Sequence, residues 1–178
     1  MRQSRQDALV LPAVAMLVVL VDQISKYLVA LRLEVGQSWV IAPWLAPILH
    51  ITHVTNTGVV FGLFPGLGGL FIGVGVVVAI VIVVYYCHLP EGEWVLRTAL
   101  GLQLGGTLGN LIDRLRQGFV TDFIDLNFWP LQDWAIFNLA DGAIVSGVAL
   151  LALLMVWEEW RGREERRVLD VSRAAERE

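Results

Sequence analysis

Apolar residues in this chain gather in four long blocks instead of alternating with polar ones. Leu9–Ala30, Gly66–Cys87, Val95–Ile112 and Asn138–Trp157 each run for roughly 20 residues with few charges. That is the length a helix needs to cross the hydrocarbon core of a bilayer. Between the first two blocks the pattern changes. The stretch "PILHITHVTNTGVVFGLF" is rich in β-branched and aromatic residues and carries a turn signal at Asn56-Thr57-Gly58. It predicts a short hairpin or curved sheet, which the strand-like segment 119–128 can join. After Trp157 the pattern breaks into mixed charges. The expected architecture is an α-helical integral membrane protein, with four transmembrane helices and a small β-sheet on the outer face. Its membrane domain covers 1–157, with spans at about 9–30, 66–87, 95–112 and 138–157. A charged cytoplasmic tail covers 158–178, read as a solvated helix or an irregular end, with docking on the membrane surface as the other reading.

Composition agrees with the membrane class. The chain is 56% hydrophobic and only 17% charged, where soluble domains are nearer a quarter charged. The net charge of −4 says little, because the charges are segregated. The distribution of basic residues is more informative. With the N-terminus inside, the inner side holds Arg2, Arg5, Arg97 and the tail arginines, whereas the outer side keeps Arg32, Arg114 and Arg116, with Lys26 at the outer end of the first span. Positive charge collects on the cytoplasmic side, so both termini are expected there. The loops at about 31–65 and 113–137 then face outward. The first span follows Arg2 and Arg5 as a signal peptide's apolar core would. It continues through Asp22 and Lys26 for about 22 residues without a small-residue cleavage site, and is read as a retained helix.

Few catalytic groups are available. His50 and His53 stand three apart in a strand-like stretch and point to opposite faces, and no HExxH pattern exists. None of the five serines lies in a GxSxG elbow, and Ser146 has no histidine at its expected depth. Cys87, the single cysteine, sits at the inner end of its span. Neither a metal nor another cofactor is expected, nor is nucleic acid as a partner. The acids remain: Asp113, Asp122, Asp125, Asp133 and Asp141 all fall near the outer interface. A carboxylate beside hydrocarbon is costly and usually faces the protein interior at a functional site. Two such groups brought together share a proton, so that one can activate water while the other donates to a carbonyl oxygen.

Each acid also has a plainer reading. Asp141 falls in the first turn of a helix that Asn138 can cap, where a carboxylate is stabilised electrostatically. In a strand Asp122 and Asp125 face opposite ways, so at most one reaches a given site. Asp22 and Lys26 are four apart on one helix face and can form a structural ion pair or support a site. The same choice applies to Asn110, Asp113 and Arg114. Gly101, Gly105 and Gly109 form a smooth stripe suited to close helix packing.

Four stretches together resemble one family, the lipoprotein signal peptidases (signal peptidase II). They are "DQISKYLV" at 22–29, "NTGVVFGLF" at 56–64, "GGTLGNLIDRLRQGFVTDFIDL" at 105–126 and "FNLADGAI" at 137–144. The chain departs mildly at Val59-Val60, where small residues are common, and at Gly142, where serine is common. The resemblance implies that Asp122 and Asp141 are the catalytic pair and that Asp125 is a bystander. It makes Asn56, Asn110, Arg114, Asn138, Asp22 and Lys26 the polar frame around them. It also implies an intramembrane aspartic endopeptidase without a metal, in the bacterial cell (inner) membrane, with its active site near the outer face. Its partners would be lipid-modified prolipoproteins, cut before a diacylglyceryl-cysteine, and membrane lipids, and the protein would act as a monomer. The competing reading is a proton-coupled transporter using the same acids. It calls for charged or broken-helix sites near mid-bilayer, and the centres of the last three spans hold no acidic or basic side chain.

Overall fold

The computed structural model describes residues 2–58 and 68–175. The part of "NTGVVFGLF" from Val59 onward, the first two residues of the expected second span, and the last three of the tail lie outside them. Four helices carry the fold: α1 (Arg2–Arg32), α2 (Gly68–Cys87), α3 (Trp94–Gln117) and α4 (Leu139–Ala175). Among the described residues three short strands, β1 (Ser38–Trp39), β2 (Leu49–Asn56) and β3 (Val120–Leu126), form one antiparallel sheet in the order β1-β2-β3.

α2 shows why the apolar blocks become helices. Its sequence, "GGLFIGVGVVVAIVIVVYYC", is dominated by β-branched residues that favour strands in water. In lipid no water can satisfy an open backbone, so a lone segment must bond within itself as a helix. Its Val77, Val81 and Val84 are exposed, as a lipid-facing surface requires. By length and apolar composition, segments of α1, α2 and α4 qualify as membrane spans: Asp7–Arg32, Gly69–Cys87 and Leu139–Glu164. α3 carries Arg97, Gln103, Asp113 and Arg114 and falls outside that group.

The reason lies in its position. α3 packs against α1, α2 and α4, so its neighbours are protein. The glycine stripe makes this possible. A Cβ on Gly101 would meet Val14 and the Leu11 carbonyl, and one on Gly105 would come within 2.7 Å of the Ala15 carbonyl oxygen. Gly106 faces the backbone of Ala140 on the α4 side, and Gly147 of α4 in turn lies against the Ala99 carbonyl. Small residues thus bring α1 and α4 against opposite flanks of α3. Leu11, Ala15, Ile82, Leu100 and Leu104 fill the apolar core between them.

α3 ends at Gly118, whose φ of 82° is the left-handed conformation that closes a helix and whose N–H donates to the Arg114 carbonyl. The chain turns directly into β3. The predicted curved sheet is present, with 120–126 as a member, and its register slips between Ile51 and Val54. Two β2 residues, Thr52 and His53, there oppose the single Phe123, which is a bulge. Asn56 ends β2, and Gly58 N–H donates to its Oδ1 at 3.0 Å; what pairs beyond this turn lies outside the described residues. α4 continues without a break through the expected domain boundary at 157/158.

Candidate active site

The expected polar residues converge from three helices and two strands. The geometry begins at the far edge of β3. Phe137 exchanges backbone hydrogen bonds with Ile124 there, 2.7 Å and 3.1 Å long. This anchors the start of α4 beside β3 and brings Asn138 next to Asp122, 16 positions away in sequence. The Asn138 Nδ2 amide donates to Asp122 Oδ1 at 2.6 Å. Asn56, from the end of β2, donates to Asp122 Oδ2 at 2.9 Å.

Asn138 also begins α4. Its Oδ1 accepts the Asp141 N–H at 3.0 Å, and Asp141 Oδ2 accepts the Asn138 N–H at 3.2 Å. This reciprocal pair is a capping box built from Asn and Asp. The cap and the functional reading of Asp141 therefore coexist, because its other oxygen, Oδ1, accepts from Asn110 Nδ2 at 2.7 Å. Asn110 Oδ1 in turn accepts from Asn138 Nδ2 at 3.1 Å and from Lys26 Nζ at 3.0 Å. Asn110 and Asn138 thus link the two carboxyls, each using its amide as donor and its carbonyl as acceptor, while Asn56 holds Asp122 alone.

Beneath this layer lies a buried charge cluster. Lys26 Nζ is 2.8 Å from Asp22 Oδ2 and 3.0 Å from Asp113 Oδ2, and Asp22 has no exposed surface. Asp22 Oδ1 accepts the free N–H of Ala140 in the first turn of α4 at 3.0 Å. Asp113 holds the other end: its oxygens accept from Gln23 Nε2 at 2.9 Å and from the Thr121 N–H at 3.2 Å, next to Asp122. One lysine and two carboxylates from α1 and α3 therefore fix the starts of both elements that bear the candidate pair. A Cβ on Gly109 would come within 2.6 Å of Asp22 Oδ2, so the stripe also makes room for this cluster. Asp113 and Gln23 belong to the frame although the family likeness does not point to them. Their signal was spacing: Asp113 lies one turn from Asn110, and Gln23 is next to Asp22.

Asp122 and Asp141 both line a cavity of about 470 Å³. Its other walls include Asn56, Asn110 and Arg114, with apolar Val120, Leu126, Phe137 and Val145. Ser146 lines it too, and no histidine does. Among the described residues Arg114 forms no ion pair with a carboxylate. Its guanidinium donates to the Gly58 carbonyl at 3.2 Å and to the Asn110 carbonyl at 3.4 Å, and lies over the Phe71 ring. Burial pushes the Asp122 carboxyl up to about 6. The Asn56 hydrogen bond opposes that rise, and the nearby charge of Asp141 adds to it.

Asp125 faces away. It accepts from Thr52 Oγ1 at 2.7 Å, and Thr52 bonds Ser38 at 2.9 Å, so this acid ties the three strands together. Asp133 lines a second, more open cleft of about 430 Å³ on whose wall Asp122 and Asn56 also lie. Among the described residues no group of three His, Cys, Asp or Glu is placed to hold a metal ion.

The fold is that of a helical multi-pass membrane protein, and two of its carboxyls lie on the wall of one cavity. Comparison with known proteins names the family. The family model described as "Signal peptidase (SPase) II" matches residues 14–157. A protein named lipoprotein signal peptidase from Moorella thermoacetica is 47% identical over 137 residues, which are 77% of this chain and 86% of that protein. One of the same name from Halothermothrix orenii is 40% identical over 146 residues, 82% of this chain and 94% of its own. A solved structure described as a bacterial membrane enzyme superposes with a TM-score of 0.76 at 30% identity, covering 84% of this chain and 88% of that one. This chain belongs to the signal peptidase II family, and is a membrane protease. The transporter reading finds no support in these relatives.

Proposed function

We propose that the chain is an aspartic endopeptidase that removes signal peptides from diacylglyceryl-modified prolipoproteins, cleaving before the lipidated cysteine. Asp122 and Asp141 are its catalytic pair. Asn56, Asn110, Asn138 and Arg114, with Asp22 and Lys26, hold that pair and the substrate. The observation that carries this reading is the shared cavity: two carboxyls from separate elements line one largely apolar space. Among the described residues each of their four oxygens accepts one hydrogen bond, from Asn56, Asn110 or Asn138. A carboxylate oxygen accepts about two, so each keeps a lone pair for water or substrate.

The chemistry needs one proton between the two groups. One carboxylate takes a proton from water as the water oxygen attacks the scissile carbonyl carbon. The other, protonated, carboxyl gives its proton to the carbonyl oxygen, and a tetrahedral diol results. On collapse the C–N bond breaks, and the leaving nitrogen takes the proton from the first carboxyl. The diol returns one to the second, so the pair ends as it began. The raised Asp122 carboxyl supports a shared proton near neutral pH.

The same reading makes α3 the fourth membrane span. At 24 residues it is about 36 Å long, enough to cross. Its buried Arg97, Asn110 and Asp113 face protein neighbours, and these polar side chains lower its hydropathy. Both termini are then cytoplasmic, the site lies near the outer face of a bacterial inner membrane, 1–157 forms the membrane domain and 158–178 the cytoplasmic tail, and one copy suffices. The test is direct. Purified protein should cut a diacylglyceryl-modified prolipoprotein, leave the unlipidated precursor intact, and keep its activity in strong chelators. Equal cleavage of both precursors, or loss on chelation restored by zinc, overturns it.

A further inference from the structure

A cavity of about 430 Å³ lies between the last turns of α1 and the β1–β2 ribbon, within the size range of ligand pockets. It shares no lining residue with the cavity of Asp122 and Asp141, and proteolysis gives it no role. Six of its eight lining residues are apolar or aromatic, among them Leu28, Val29, Trp39, Ile41 and Ile51. The polar two are Ser25 and Arg32. Ser25 is committed, since its Oγ donates to the Asp22 carbonyl at 2.7 Å. Arg32 is exposed and makes no hydrogen bond or ion pair among the described residues.

We propose that this cavity holds one phospholipid, with an acyl chain against the apolar wall and its phosphate on Arg32. Three features select that occupant. Leu28, Trp39 and Ile41 are each more than 40% exposed, so the apolar wall is continuous with the lipid-facing surface of α1. Arg32 ends a membrane-spanning helix, at the depth where lipid phosphates lie, and a guanidinium binds phosphate through two parallel N–H bonds. Trp39 supplies the amphipathic ring typical of that interface. The substrate's own diacylglyceryl group fits less well, because it has no phosphate and leaves Arg32 unpaired. The one carboxylate near Arg32 in sequence is the exposed Glu34, two residues on, which leaves room for an ethanolamine headgroup as well as a glycerol one. The site is independent of the peptidase reading.

The test uses delipidated full-length protein in detergent, titrated with phosphatidylglycerol, phosphatidylethanolamine or diacylglycerol and read by native mass spectrometry. Phospholipid should bind at one saturable site, with diacylglycerol about tenfold weaker, the scale of one charge-assisted hydrogen bond pair. Arg32→Gln should remove that preference, and Arg32→Lys should restore part of it. Ile41→Trp, which fills the cavity but keeps the charge, should lower binding of all three lipids. Equal binding of diacylglycerol and phospholipid to the wild type, or an unchanged preference in Arg32→Gln, overturns the proposal. Cleavage of lipidated substrate by Arg32→Gln, measured alongside, keeps failure of this site distinct from failure of the peptidase.

Discussion

At Asp122 opposing influences meet on one carboxyl: burial and the neighbouring Asp141 favour the protonated form, while the Asn56 and Asn138 amides and Lys26 favour the charged one. Burial dominates, and the group titrates near 6 in the folded protein, above the 3.8 of a free aspartate. Between these values the folded state binds more protons than the unfolded one, so stability falls as pH rises through that window. The Asp122→Asn variant lacks this titration. The stability of wild type minus variant should therefore decline from about pH 4 to pH 6 and level off above, as thermal unfolding in detergent would record. A rise across that window would contradict the assignment. Lys26 makes a second residue-scale prediction. Removing it leaves Asp22 and Asp113 buried without a counter-ion, so Lys26→Met should cost about 3–5 kcal/mol by denaturant unfolding. A neutral result would mean that water enters the cluster. At this scale the sequence made Asp122 and Asp125 separable, because strand alternation alone puts them on opposite faces. Asp113 was harder to assign: its role depends on reaching both Lys26 of another helix and the Thr121 amide, and no local pattern reports such a junction.

Among the elements, α3 is the one whose sequence and surroundings differ most from its neighbours. Its glycines replace side chains where α1 and α4 approach, and a methyl group there has nowhere to go. Gly105→Ala meets the Ala15 backbone and should lower stability by about 1–3 kcal/mol. Gly142→Ala in α4 meets nothing within 4 Å and should be neutral or raise stability by about 0.5–1 kcal/mol, as removing an interior helical glycine does. Melting temperatures of the two variants check the contrast, and equal losses would show that the stripe is not a packing seam. The four helices were legible because each apolar block exceeds what a globular core needs. β2 and β3 were legible from β-branched runs, whereas the two-residue β1 and the one-residue register slip were not. A bulge is fixed by how β2 must meet both the loop before β1 and β3, and composition is blind to it. The tail's helicity was also open, since its charged sequence suits a solvated helix and an irregular end alike.

Over the whole molecule, the arrangement has a polar centre at one end of an apolar bundle, assembled where α1, α3, α4 and the sheet meet. Four spans make both termini share one side of the membrane, whereas three would separate them. Reporter fusions placed before α1 and after α4 should both score as cytoplasmic, and an exported C-terminal reporter would remove α3 from the membrane. The central claim is narrower: the two carboxyls of the shared cavity do the chemistry, and Asp125 and Asp133 do not. It is tested most directly by turnover of a diacylglyceryl-modified prolipoprotein by purified Asp122→Asn, Asp141→Asn, Asp125→Asn and Asp133→Asn proteins, with helicity and melting followed in parallel. The first two should each lose at least about 10²–10⁴-fold, the contribution of general acid–base catalysis, while remaining folded. The other two should stay close to wild type. Turnover by Asp122→Asn or Asp141→Asn, with Asp125→Asn inactive but folded, would contradict the pair.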